Sequence, residues 1–299
     1  MSTAIVKKDV IDLVEARVKE FQTTGELSFP PNYSPSNALK SAWLIIQETQ
    51  NREKKPALSV CTRESVANAL LDTVIQGLSP AKNQVYYIVY GNKLVAMRSY
   101  FGTMAVTKRL SGVEDVFAQV IYKDDDFAYT IDRGTKKVLK HEQKLENIDP
   151  KNIVGAYCTI YYRSTTADGT PEIREYTEIM SKAQIDTAWK KSTTKGKGDV
   201  HQEFPEEMAK RTVINRTCKM FANTSDDSDL LIESFNRTAG GNFDREAEIE
   251  QEIEENANAE VIEGEFEVVE GKPVEEPEAK KSPEKKQEQV PITQQDLDF

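Results

Sequence analysis

The last 57 residues constrain the fold most. From Phe243 to Phe299 the chain carries 19 Asp and Glu against 6 Lys and Arg, a net of −13, in a 299-residue sequence whose total is −11. Large apolar side chains are sparse there, and the stretch Lys272 to Gln289 is dominated by Pro, Glu and Lys. Such a segment cannot bury enough surface to offset the entropy of ordering it. It is expected to be disordered after about Gly241, with at most a transient helix over Asp244 to Asn256. The remaining 242 residues hold 33 basic and 31 acidic side chains, a near-neutral composition on a length that suits one packed domain. The acidic balance of the chain therefore belongs to its tail. The expected organisation is an N-terminal helix and linker over 1–35, a folded domain over 36–241 and an acidic tail over 242–299.

Several classes are excluded on the same ground. No apolar run approaches the ~18 residues of a membrane span. Met1 to Lys8 has two lysines but no apolar stretch or cleavage site after it, so a cytoplasmic location and no membrane partner are expected. Cys61, Cys158 and Cys218 are odd in number and widely spaced, which implies neither a disulfide framework nor zinc; they read as small buried hydrophobes. His141 and His201 have no companions that complete a metal site or a triad, and they read as surface residues. No phosphate loop, dinucleotide fingerprint, nucleophile elbow or HExxH is present, so no cofactor, metal or catalytic residue is expected.

Periodicity lays out the domain. Helices are predicted over Lys7 to Phe21, over Ser36 to Thr49 with Ser36 as N-cap, and over Thr62 to Gln76 with Gly77 as its stop. Gln84 to Tyr90 and Lys93 to Arg98 flank Gly91-Asn92, a hairpin signal. A helix follows over Tyr100 to Leu110. Strands are predicted over 113–122, 127–132, 136–140, 153–163 and 172–180, and closing helices over Ser181 to Lys190 and Pro205 to Phe221, where Pro205 sits at N1 with Glu206 and Glu207 in the first turn. Helices, then a meander of strands, then helices make an α+β fold with an antiparallel sheet.

The informative chemistry is basic and aromatic. Lys190, Lys191, Lys195, Lys197, Lys210, Arg211, Arg216 and Lys219 crowd the end of the domain, and Ser192 to Gly198 offers a glycine-containing loop able to close over a polyanion. Adjacent Lys210 and Arg211 diverge by about 100° on a helix, so only part of this set can face one groove. A solvated basic helix face, and a charged loop over Lys190 to Lys197, fit the same residues. Tyr86, Tyr87, Tyr90, Tyr100, Phe101 and Trp189 offer ring faces on which a base gains ~1–3 kcal/mol by stacking. Strand alternation sends Tyr86 and Tyr87 to opposite faces, so at least one of them belongs to the core.

The order of these features resembles the RecT family of phage single-strand annealing proteins. The resemblance rests on Gln76-Gly77-Leu78-Ser79-Pro80, on Tyr87 to Lys93 with its Gly-Asn turn, on Tyr100-Phe101-Gly102 opening a helix that ends Lys108-Arg109-Leu110-Ser111-Gly112, and on Glu206 to Arg216. It covers about residues 36–235. Family members often place a Gly before the tyrosine and a basic residue after it, where this chain has Ser99 and Phe101. The resemblance implies an ATP-independent protein that oligomerises on single-stranded DNA as a ring or helical filament and pairs complementary strands into duplex. It also implies work beside a 5′ to 3′ exonuclease in a bacterial host. On that basis Lys210, Arg211, Arg216 and Lys219 are expected on phosphates, Lys108, Arg109 and Arg98 on an opposite wall, and Tyr100 in stacking. The run Pro291 to Phe299 is similar to the acidic, Phe-ended tail of bacterial single-strand binding proteins; chance similarity in an acidic tail is the favoured reading, and a mimic that borrows that tail's partners is the alternative. The alternative is a Mg²⁺-dependent nuclease built on Asp124, Asp125, Asp126 and Glu142.

Overall fold

A computed structural model describes residues 7–166, 168–190 and 199–239. α1 (Lys7–Thr23) buries Val10, Val14 and Val18, spaced i, i+4, i+8 on one face. α2 (Pro35–Glu48) buries Leu39, Trp43 and Ile46. Its N-cap is Ser34 rather than Ser36: the Ser34 hydroxyl accepts from the Asn37 N–H, and Pro35 occupies N1, where a missing N–H leaves nothing unsatisfied. After the single turn α3 (Ala57–Val60), α4 (Arg63–Ile75) is capped by Thr62 and stopped at Gly77, whose φ of +61° is the left-handed conformation a helix stop favours. α4 is buried on almost every side and packs against α1 and α2.

β1 (Val85–Tyr90) and β2 (Lys93–Arg98) pair across Gly91-Asn92 as a separate two-stranded sheet laid on α4. α5 (Tyr100–Thr107) follows at once, capped by Ser99. Its Gly102 allows close approach to the hairpin, since a Cβ there would lie 2.1 Å from the Gln84 carbonyl oxygen. The larger sheet contains β3 (Val113–Tyr122), β4 (Asp126–Asp132), β5 (Thr135–Glu142), β6 (Ile153–Thr165) and β7 (Pro171–Ser181), all antiparallel. The α+β class with an antiparallel sheet flanked by helices is thus the observed one. The strand order is β3-β6-β7-β5-β4, so consecutive β3 and β4 end up on opposite edges. The β4–β5 hairpin joins the rest through one ladder pair, Lys136 with Thr177.

α6 (Lys182–Trp189) opens with a capping box between Ser181 and Gln184. α7 (Asp199–Glu203) precedes α8 (Pro205–Ala222), which lies across β3, β6 and β7 and beside α5. α9 (Asp229–Arg237), a helix beyond those predicted, returns to α4. There Arg237 pairs with Asp72 at 2.7 Å, and Ser234 bridges Asp72 and Gln76.

The three cysteines are buried free thiols, as expected. His141 is not a surface residue. Its side chain is 7% exposed, its Nδ1 lies 3.1 Å from the Tyr157 hydroxyl and its Nε2 3.1 Å from the Asp125 carboxylate. Folding the β4–β5 hairpin against β6 encloses it, which single-strand periodicity could not reveal. No helix among the described residues is long and apolar enough to cross a membrane. Lys191, Lys195, Lys197 and the acidic tail lie outside the described residues.

Candidate nucleic-acid interface

α8 carries the centre of the site. Val213, Ile214, Thr217, Cys218 and Ala222 are buried, and Phe221 meets Tyr162 and Tyr176 at 5.3 and 5.9 Å between ring centroids. This packing fixes the rotation of the helix, and with it the direction of every polar side chain. Arg211, Asn215 and Lys219, at i, i+4 and i+8, form one row along the helix. Arg216 is exposed about 140° away from Arg211, on the side of Tyr176, whose phenol burial and Glu178 push up and Arg216 pulls down. Lys210 diverges from the row and pairs with Glu207 at 3.1 Å. Lys190 stands exposed at the end of α6. Among the described residues, Lys190, Arg211, Arg216 and Lys219 form no ion pair, so their charge is uncompensated.

The other wall differs from expectation. Arg98 is 5% exposed and cannot meet a phosphate. Its Nη1 donates to Gln76 Oε1, the Phe235 carbonyl and Thr238 Oγ1 at 2.7, 2.7 and 2.9 Å, and its Nε donates to Thr103 Oγ1 at 3.0 Å. The guanidinium lies 3.5 Å from the centroid of the Phe235 ring, and burial pushes its pKa down to about 9. Arg98 is a core tie joining α4, β2, α5 and α9. Arg109 is half-buried: its Nη1 donates to the Gln76 carbonyl, and the guanidinium lies 5.9 Å from the Tyr33 ring. Lys108 is exposed and paired with Asp115. Such a surface pair is weak and can exchange for phosphate. α5 thus supplies one accessible cation at its end instead of a basic wall.

What α5 supplies at its start is aromatic. Tyr100 and Phe101 lie with ring centroids 4.1 Å apart, and Phe101 remains 49% exposed. Tyr86 on β1 is 50% exposed, whereas Tyr87 is buried against Thr73 with a hydroxyl contact of 2.9 Å. Burial holds the Tyr100 phenol above its ordinary pKa; Glu207 and Tyr86 add to the rise and Arg211 opposes it. Hairpin, α5 and α8 therefore meet around Tyr100. Trp189 is engaged elsewhere, donating from Nε1 to Thr212 at 2.8 Å with Lys182 5.2 Å over its ring. Tyr86 and Phe101 were legible only as members of a list of rings; the period-2 pattern of β1, with Val85 and Tyr87 inward, is the signal that singles out Tyr86.

The acidic run does not converge on a cation. Asp125 points inward and accepts from the Tyr122 N–H, Gln143, Asn147 and His141, so its pKa is depressed although burial alone would raise it. Asp126 and Glu142 both pair with Lys140 on the outside of the hairpin.

A basic helix row and exposed rings, set on a helix-flanked antiparallel sheet, define a class of proteins suited to extended polyanions with accessible bases. The chain belongs to the RecT family, whose family model matches residues 36–261. Membership carries the role of a single-strand annealing recombinase, in a family of single-stranded-DNA-binding annealing proteins that are generally non-enzymatic. No curated protein matches the sequence.

Proposed function

We infer that the protein coats single-stranded DNA as a homo-oligomer and pairs complementary strands without ATP or any cofactor, in phage-type homologous recombination within a bacterial cytoplasm. A 5′ to 3′ exonuclease supplies the single strands, and host single-strand binding protein is the competitor or partner on them. The observation that carries this is the uncompensated row from Arg211 to Lys219 beside the rings of α5 and β1, in a member of the RecT family.

Pairing needs no fuel. Each duplex step gains ~1.4 kcal/mol of stacking, so ten new pairs are downhill by ~14 kcal/mol before protein costs. The protein has to hold two phosphate chains near each other against repulsion and keep their bases unstacked. Cations without carboxylate partners do the first and exposed rings the second, and neither task requires a nucleophile or a general base. From Arg211 to Lys219 the row spans about 12 Å, the length of only a few nucleotides. So short a footprint gives weak binding per subunit, which favours many subunits aligned on one strand.

The test is annealing of two complementary labelled oligonucleotides followed by energy transfer, with Mg²⁺ present and nucleotide absent. Intact duplex product is expected. Shortened strands would mean cleavage instead, and an annealing rate equal to that of free DNA would remove the proposed activity.

A further inference from the structure

We propose that Phe101, braced by Tyr100, is the platform on which a base of the bound strand stacks while Arg211, on the neighbouring helix α8, holds a phosphate of the same strand. The proposal rests on the annealing function above and assigns its base-reading half to a residue other than Tyr100.

The geometry of three elements carries it. Phe101 has no polar atom, yet 49% of it faces solvent in the first turn of α5, and Tyr86 on β1 is 50% exposed. Tyr100 is the more buried ring; at 4.1 Å between centroids and 31° between planes it supports Phe101 from behind. The platform is preorganised. The Ser99 hydroxyl accepts from the Gly102 N–H at 3.1 Å and donates to the Asn83 carbonyl at 2.7 Å, and the Ser99 N–H donates to the Gln84 carbonyl at 3.0 Å, which ties the start of α5 to the segment just before β1. Gly102 permits the approach, because any Cβ would collide with the Gln84 carbonyl. Rings held in this way lose little freedom when a ligand arrives.

The same place selects the chemical class of ligand. α8, which carries Arg211, packs beside α5, and Arg211 has no ion-pair partner among the described residues. Glu207, the carboxylate beside it, is engaged by Lys210. A ligand that satisfies an open ring and an unpaired guanidinium together needs a flat apolar face and an anionic group on one molecule. An unstacked nucleotide has both. A duplex hides its base faces. Stacking on phenylalanine is also indifferent to which base is present, as annealing of arbitrary sequence requires.

The experiment is fluorescence anisotropy with the full-length protein, an oligo-dT strand and an abasic deoxyribose-phosphate strand of equal length. The wild type is expected to bind oligo-dT about tenfold more tightly than the abasic strand. Phe101→Ala is expected to bring the two affinities within about twofold of each other while leaving abasic binding unchanged. Phe101→Trp is expected to restore the preference, with its fluorescence quenched by oligo-dT and not by the abasic strand. Equal weakening of both strands by Phe101→Ala, or an undiminished preference for oligo-dT, overturns the platform. Absence of binding to either strand by the wild type overturns the annealing function with it, which keeps the two failures distinct.

Discussion

Arg98 and Arg211 are the same residue type with opposite environments, and each defines an outcome. Removing Arg98 leaves Gln76 Oε1, the Phe235 carbonyl and Thr238 without their donor inside the core. Arg98→Met is therefore expected to lower stability by about 3 kcal/mol, read as a shift in urea midpoint at constant slope. Arg211→Ala is expected to change stability by less than about 0.5 kcal/mol. It should instead weaken binding to all sequences alike and reduce the salt dependence of affinity by about one unit. A sequence-selective loss would contradict phosphate contact. The difference between the two arginines was partly legible: Leu94 and Ala96 are the inward residues of β2, and strict alternation carries Arg98 to the same side. Charge alone pointed it at DNA. For Arg109 no such pattern existed, since its partner is a backbone carbonyl 33 residues earlier in the chain.

At the scale of elements, most helices and strands followed local rules, and the order of the sheet did not. Thr62 and Ser181, which open two of the predicted helices, serve as their N-caps, and the Gly91-Asn92 hairpin pairs as expected. The order of the large sheet was not legible, because β5 is attached to β7 by a single pair and no local signal specifies it. α9 was legible in principle: Ser228 caps it, and Leu231, Ser234, Phe235 and Thr238 repeat at helical spacing. The turn between β3 and β4 yields a pH prediction. The folded pKa of Asp125 is depressed by its four donors, so its contribution is full above the unfolded value of ~3.9 and is lost as pH falls through the folded value. Asp125→Asn is expected to cost about 1–2 kcal/mol at pH 7 and to flatten the acid limb of stability, measured by thermal unfolding at a series of pH values. An acid limb identical to wild type would show that Asp125 does not govern it. Gly102→Ala probes the neighbouring joint. With its Cβ 2.1 Å from the Gln84 carbonyl, it must push α5 off the hairpin, lowering both melting temperature and affinity for single strands.

At the scale of the whole molecule, a chain of net charge −11 is proposed to hold a polyanion, and the distribution of charge resolves the conflict. Without residues 243–299 the net charge is +2. Fixed charges more than about 8 Å from a phosphate are largely screened at physiological salt, so the row on α8 acts locally. A covalently joined acidic segment is a different matter, since its effective concentration near its own domain is of order mM. Nonspecific sites bind DNA with dissociation constants of ~10⁻⁴ to 10⁻⁶ M, so an internal competitor at that concentration is felt. Removing 243–299 is expected to raise affinity for single-stranded DNA about tenfold at low salt, with the gain vanishing as ionic strength approaches ~1 M, where the screening length falls to ~3 Å. Restoring a scrambled segment of identical composition separates the causes: recovery of the weaker binding identifies charge as the agent, and failure to recover it identifies sequence. An affinity that does not move at low salt when 243–299 is removed means the acidic segment and DNA do not compete for the same cations.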